Sequence, residues 1–188
     1  MLLRAENIFL KNMIKTIHSP LRATAFVFLW LTVFVVANSS YSFDGKNPAN
    51  PAPSSTEMMR QRNFISGYAQ NFTGVPYVHA GNSPSKGFDC SGFTSYILHE
   101  FEVDVSKCSA TQSQEGKRIA LDEVQPGDLV FFGRRGRIQH VAMVVECTAE
   151  GIVCVHSTSS RGVVVENIST STYWRPRILF ARDVISKD

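Results

Sequence analysis

The sequence has no Cys-x-x-Cys pair, no internal repeat and no apolar stretch as long as a membrane span. The first absence removes the usual signature of a structural zinc site. The second leaves one domain rather than a repeat array. The longest apolar run, Ala25 to Ala37, is shorter than the roughly 20 residues a spanning helix needs, so an uncleaved anchor is the lesser reading. A surplus of one charge is also missing. Residues 1–42 carry Arg4, Lys11, Lys15 and Arg22 against Glu6 alone, which accounts for the whole formal charge of +3. The remainder is neutral, and electrostatics favours neither nucleic acid nor another polyanion.

What is present begins with a leader. A basic segment ends at Arg22, the apolar run follows, and Ala37-Asn38-Ser39-Ser40 supplies small residues before the next charge, Asp44. That order predicts a secretory signal peptide over 1–42, and hence a secreted or periplasmic protein with no membrane attachment after cleavage. The Asn-Pro and Ala-Pro steps of 43–53 predict a flexible linker. Residues 54–188, in a chain with 44% hydrophobic and 19% charged residues, are expected to form one domain with a real core. Four cysteines in an exported chain could pair, but only Cys147 and Cys154, which bracket a predicted hairpin, are placed for it.

Ser54-Ser55-Thr56-Glu57 has the form of a capping box, and Ile65, Tyr68, Ala69 and Phe72 continue a helical stripe, predicting a helix over 55–72. A second helix is predicted from Cys90 to about residue 102, with Asp89 as its N-cap. After Val124 the pattern turns extended: 129–132, 138–146, 152–157, 162–168 and 178–184 read as strands. Helices followed by a strand meander imply an α+β fold, helices packed on a five- to six-stranded antiparallel sheet.

Gly87-Phe88-Asp89-Cys90-Ser91-Gly92-Phe93 is the chemically loaded stretch. A cysteine in the first turn of a helix meets unpaired N–H groups that favour its thiolate; the plain alternative is a small buried apolar residue. A nucleophilic thiol needs a base and a group to orient that base. Of five histidines, His18 lies in the leader, His99 on an exposed helix side and His79 in an approach loop. His140 and His156 fall on consecutive strands. They share a sheet face only if opposed residues have an even index sum, which requires an odd loop between the strands. A two-residue Glu150-Gly151 turn would instead oppose Cys147 to Cys154 and separate the histidines, unless a bulge intervenes.

Pro76-Tyr77-Val78, the 87–93 stretch, Gln125-Pro126-Gly127-Asp128-Leu129-Val130-Phe131-Phe132 and His140-Val141 occur in that order, and together they resemble the motifs of the NlpC/P60 cysteine peptidases. Gln112 keeps a glutamine found in that family. The resemblance implies a papain-like fold and hydrolysis of amide bonds in bacterial peptidoglycan stem peptides, at D-Glu–diamino acid or neighbouring bonds. It implies a catalytic Cys90, His140 and His156, with Tyr77 serving the oxyanion and Asp89 and Ser91 contacting substrate. No metal or other cofactor is implied. The expected partners are peptidoglycan peptides or muropeptides, and the expected state is a monomer. The alternatives are a related thiol amidase or acyltransferase, and a catalytically silent wall-binding domain.

Overall fold

Ser54 accepts from the backbone N–H of Glu57 at 3.2 Å and so starts the first helix, α1 (Ser55–Gln70). The structure, a computed structural model, describes residues 54–186, and the expected leader and linker lie outside the described residues. Only half of the capping box forms, because Glu57 turns its carboxylate to Arg60. The helix stops short of residue 72, and Gly74, at φ +91°, then redirects the chain.

A two-stranded ribbon, β1 (Asn82–Ser83) and β2 (Gly87–Phe88), leads into α2 (Cys90–His99). This second helix is also shorter than expected. Glu102 takes a left-handed conformation at φ 62°, and Val103 donates back to the Leu98 carbonyl at 3.1 Å, which closes the helix end. A short turn of helix, α3 (Ser109–Gln112), precedes the strands β3 (Lys117–Ile119), β4 (Leu129–Arg134), β5 (Arg137–Thr148), β6 (Gly151–Thr158), β7 (Gly162–Asn167) and β8 (Ile178–Asp183). The last six form an antiparallel sheet in the order β3-β8-β4-β5-β6-β7. The architecture is therefore α+β, as the order of patterns implied. The sixth strand, β3, is three residues with two charges, too short to show a period in sequence.

Alternation along the strands buries both faces of the sheet. Leu129, Phe131, Val141 and Met143 meet Phe93, Ile97 and Ile65 of the helices. Val130, Phe132, Ala142, Val144 and Cys154 pack on the other face with Ile168 and Trp174. The helix residues Phe93, Ile97 and Leu98 have no exposure at all; each such burial is worth about 1.5–3 kcal/mol and fixes where α2 lies. A polar node ties α1 to the sheet. Buried Arg62 pairs with Asp128 at 2.6 Å and Asp183 at 2.5 Å, and also donates to the Pro126 carbonyl and Ser186.

The β5–β6 hairpin resolves the parity question in a way neither simple register allows. Thr148 opposes Gly151, so the turn is the two-residue Ala149-Glu150, with an odd index sum. Between Val144 and Glu146 the register shifts, Val145 being the extra residue, and Val144 opposes Cys154 with an even sum. The bulge returns His140 and His156 to one face. It also leaves Cys147 exposed and Cys154 buried, and all four cysteines are free thiols.

Candidate active site

Cys90 is the first residue of α2, and the loop before it holds it there. The Asp89 carboxylate accepts from the Gly92 N–H at 2.6 Å, and the Asp89 N–H donates to Gly81 at 2.9 Å. Gly92 lies so close to this loop that a Cβ would stand 2.0 Å from the Gly81 carbonyl oxygen. Ser91 donates to the Lys107 carbonyl at 2.8 Å, and the buried Gln112 amide reaches the Ser91 carbonyl and the Thr94 hydroxyl. The start of the helix is thus braced on three sides.

The other half of the site comes from the sheet. The β5–β6 ladder ends at Met143–Val155, although both strands continue, so β5 has a free edge beyond that point. The start of α2 lies against these strands: the Val141 N–H favours the Cys90 thiolate, and Ser157 of β6 donates to the Phe88 carbonyl at 2.8 Å. Cys90, His140 and Tyr77 line a common cleft of about 350 Å³. His140 Nε2 and His156 Nδ1 are 2.8 Å apart, and His156 Nε2 lies 2.9 Å from Glu166 Oε1. The contacts run across three neighbouring strands, β5, β6 and β7. Trp174 stacks on His140 at 4.5 Å between ring centroids and 22° between planes, touches His156 edge-on, and donates its indole N–H to Glu166 at 3.1 Å.

Electrostatics sets the resting charges. Burial pushes the Cys90 thiol up, the Asp89 charge adds to this, and the N–H groups of Val141, Ser91 and Cys90 itself only partly oppose it. The expected thiolate preference of a helix start is therefore outweighed by desolvation. Burial likewise drives His140 well below the ordinary imidazole value, with His156 acting in the same direction. The pair rests as neutral thiol and neutral imidazole, so His140 is placed to act as a base during attack. Tyr77 is raised by burial and by the nearby Cys90 and Asp89, and stays a phenol able to donate.

The sequence-predicted residues divide clearly. Cys90, His140 and Tyr77 line the cleft, and His156, with no exposure, stands behind His140. Asp89 and Ser91 do not line it; the contacts above give them the role of holding the helix start. His79 is exposed and outside the lining, and His99 pairs with Asp104 on the surface. Among the described residues no group of three His, Cys, Asp or Glu side chains is placed to hold a metal ion.

Glu166, Trp174 and Arg161 were not legible as site residues. Glu166 had a signal: an acid directly after the run Val163-Val164-Val165, with the parity of His156 across a three-residue loop, 159–161. Trp174 had none, because it lies outside any periodic segment.

The sequence model of one family, described as the NlpC/P60 family, matches residues 74–183. Among curated proteins, the chain is 30% identical over 120 residues to a gamma-DL-glutamyl hydrolase of Bacillus subtilis, covering 62% of this chain and 28% of that protein. It is 34% identical over 105 residues to a gamma-D-glutamyl-L-lysine dipeptidyl-peptidase of Bacillus cereus, covering 54% of this chain and 30% of the other. The chain thus spans under a third of the length of these relatives. A solved NlpC/P60 family protein from Bacillus cereus superposes with a TM-score of 0.61 at 28% identity, covering 72% of this chain and 42% of that one.

Proposed function

The chain belongs to the NlpC/P60 family, and from that premise we propose that it is a cysteine peptidase hydrolysing amide bonds in peptidoglycan stem peptides. The bond cut is the one between D-glutamate and the diamino acid, or a neighbour. One observation carries the reading: a cysteine at a helix start and a histidine with a buried orienting partner line the same cleft.

In the proposed reaction, His140 takes the Cys90 proton as the sulfur attacks the peptide carbonyl. The developing oxyanion leans on the Tyr77 hydroxyl and backbone N–H groups. His140 then protonates the leaving amine, and water activated by the same imidazole releases the acyl group. His156 holds the His140 ring. Residues 1–42 act as a signal peptide and 43–53 as a linker, 54–188 form the catalytic domain, and the exported protein works as a monomer.

Defined muropeptides incubated with the protein and analysed by mass spectrometry test this. Cleavage between D-glutamate and the diamino acid, lost in Cys90→Ala, is expected. Turnover that persists unchanged in the variant would show the site to be wrong. Acyl transfer in place of hydrolysis would reveal the acyltransferase alternative, and hydrolysis confined to an amide outside the stem-peptide bonds named would reveal the amidase.

A further inference from the structure

We propose that Glu166 is a positioning residue that sets the proton pattern of both imidazoles and thereby delivers a lone pair to Cys90. The inference rests on the reading of Cys90 and His140 as nucleophile and base.

Three donors converge on one carboxylate oxygen, Glu166 Oε1: His156 Nε2 at 2.9 Å, the Arg161 guanidinium at 2.5 Å and the Trp174 indole at 3.1 Å. Arg and Trp can only donate. With them in place, this oxygen has no room for a proton of its own and must accept. Burial alone would raise the Glu166 carboxyl, but the hydrogen bonds from His156, Trp174 and Arg161 outweigh it and hold it low. His156 Nε2 therefore carries a hydrogen. Burial keeps His156 neutral, with Glu166 only partly opposing that, so its Nδ1 bears a lone pair and accepts. The group it accepts from, 2.8 Å away, is His140 Nε2, which must then hold the His140 hydrogen. His140 Nδ1 is left as the one nitrogen of the pair whose lone pair is not already taken up by a hydrogen bond between the rings or to Glu166. The opposite pattern would put a hydrogen on His140 Nδ1 and leave no group to take the thiol proton.

Neither histidine fixes this order alone, since each imidazole can run in either direction. The acceptor-only group at the end of the line decides it. Trp174 has two parts here: its indole N–H anchors the carboxylate, and its face covers the His140–His156 contact against water that could donate in the wrong sense.

The test labels histidine with 15N and reads two-bond 1H–15N couplings in the resting protein near neutral pH, which distinguish the two tautomers. Nε2–H is expected for both His140 and His156. Glu166→Gln should keep this pattern, because the amide oxygen can face the same three donors. Glu166→Ala should lose it, with kcat down tenfold or more and KM within about twofold. His140 in the Nδ1–H form in the unaltered protein would overturn the proposal, as would a Glu166→Ala variant that kept both tautomers and its kcat. Because the tautomer readout needs no substrate, failure to cut any muropeptide would sink the peptidase reading and leave this one intact.

Discussion

Cys90 and His140 start as a neutral pair rather than an ion pair, and their pH behaviour follows. Desolvation holds the imidazole neutral below its ordinary 6.5 and the thiol protonated above its ordinary 9.0. The acid limb of kcat/KM, which reports the free enzyme, is expected below pH 6.5; a limb at or above that value would refute the neutral pair. Iodoacetamide capture at Cys90 should be slow near pH 6 and rise steeply through pH 9. Equal rates at the two would mean a thiolate already present. The sequence singled out Cys90 and His140 because their residue types and neighbours are local signals. It could not set their charges, because these depend on burial and, for His140, on the neighbouring His156, which act only once the chain has packed.

At the scale of elements, the site depends on how closely α2 meets the 81–89 loop. Gly92→Ala places a methyl 2.0 Å from the Gly81 carbonyl, and that contact is backbone on the loop side, so the helix start must move. A loss of about 1–3 kcal/mol in stability and a fall in kcat/KM of at least tenfold are expected, checked by urea unfolding and by kinetics on the same sample. Full activity would show that the helix start tolerates displacement. The β5–β6 hairpin makes a separate claim. In native protein without reductant, Cys108 and Cys147 should react with a thiol reagent while Cys154 reacts only on unfolding, and no Cys147–Cys154 bridge should appear in the intact mass. The strands themselves were legible from alternation, and so was the incompatibility of a two-residue turn with histidines on one face. The bulge at Val145 was not, since a β-branched residue in an apolar run looks the same paired or unpaired.

Over the whole molecule, stability rests partly on Arg62, which joins the first helix to the start of β4 and the end of β8. Removing it leaves two carboxylates, Asp128 and Asp183, close together without their cation. Arg62→Met should cost about 3–5 kcal/mol, measured by denaturant midpoint, and a neutral result would show the node to be dispensable. Acid should also weaken the fold. His140 and His156 have depressed native values, so the unfolded chain binds more protons below 6.5, and the stability they confer is present above that pH and lost as it falls. Asp128, raised by burial to about 6 against the pull of the Gln125 N–H and Arg62, acts in the other direction, but it is one group against two. A lower melting temperature at pH 5 than at pH 7 is expected, and an unchanged one would contradict the balance. The line from Glu166 through His156 to His140 crosses two unlike strand pairs: β6 and β7 are joined by a continuous backbone ladder, about 4.8 Å apart, whereas the β5–β6 ladder stops at Met143–Val155, short of His140. Only the first of these separations is stiff. Cys90 rides on a helix held to the sheet largely by apolar packing, which has no preferred direction. Thermal breathing of the site is therefore concentrated around His140, whose imidazole is free to shift against the sulfur on one side and His156 on the other, while His156 and Glu166 stay fixed to each other.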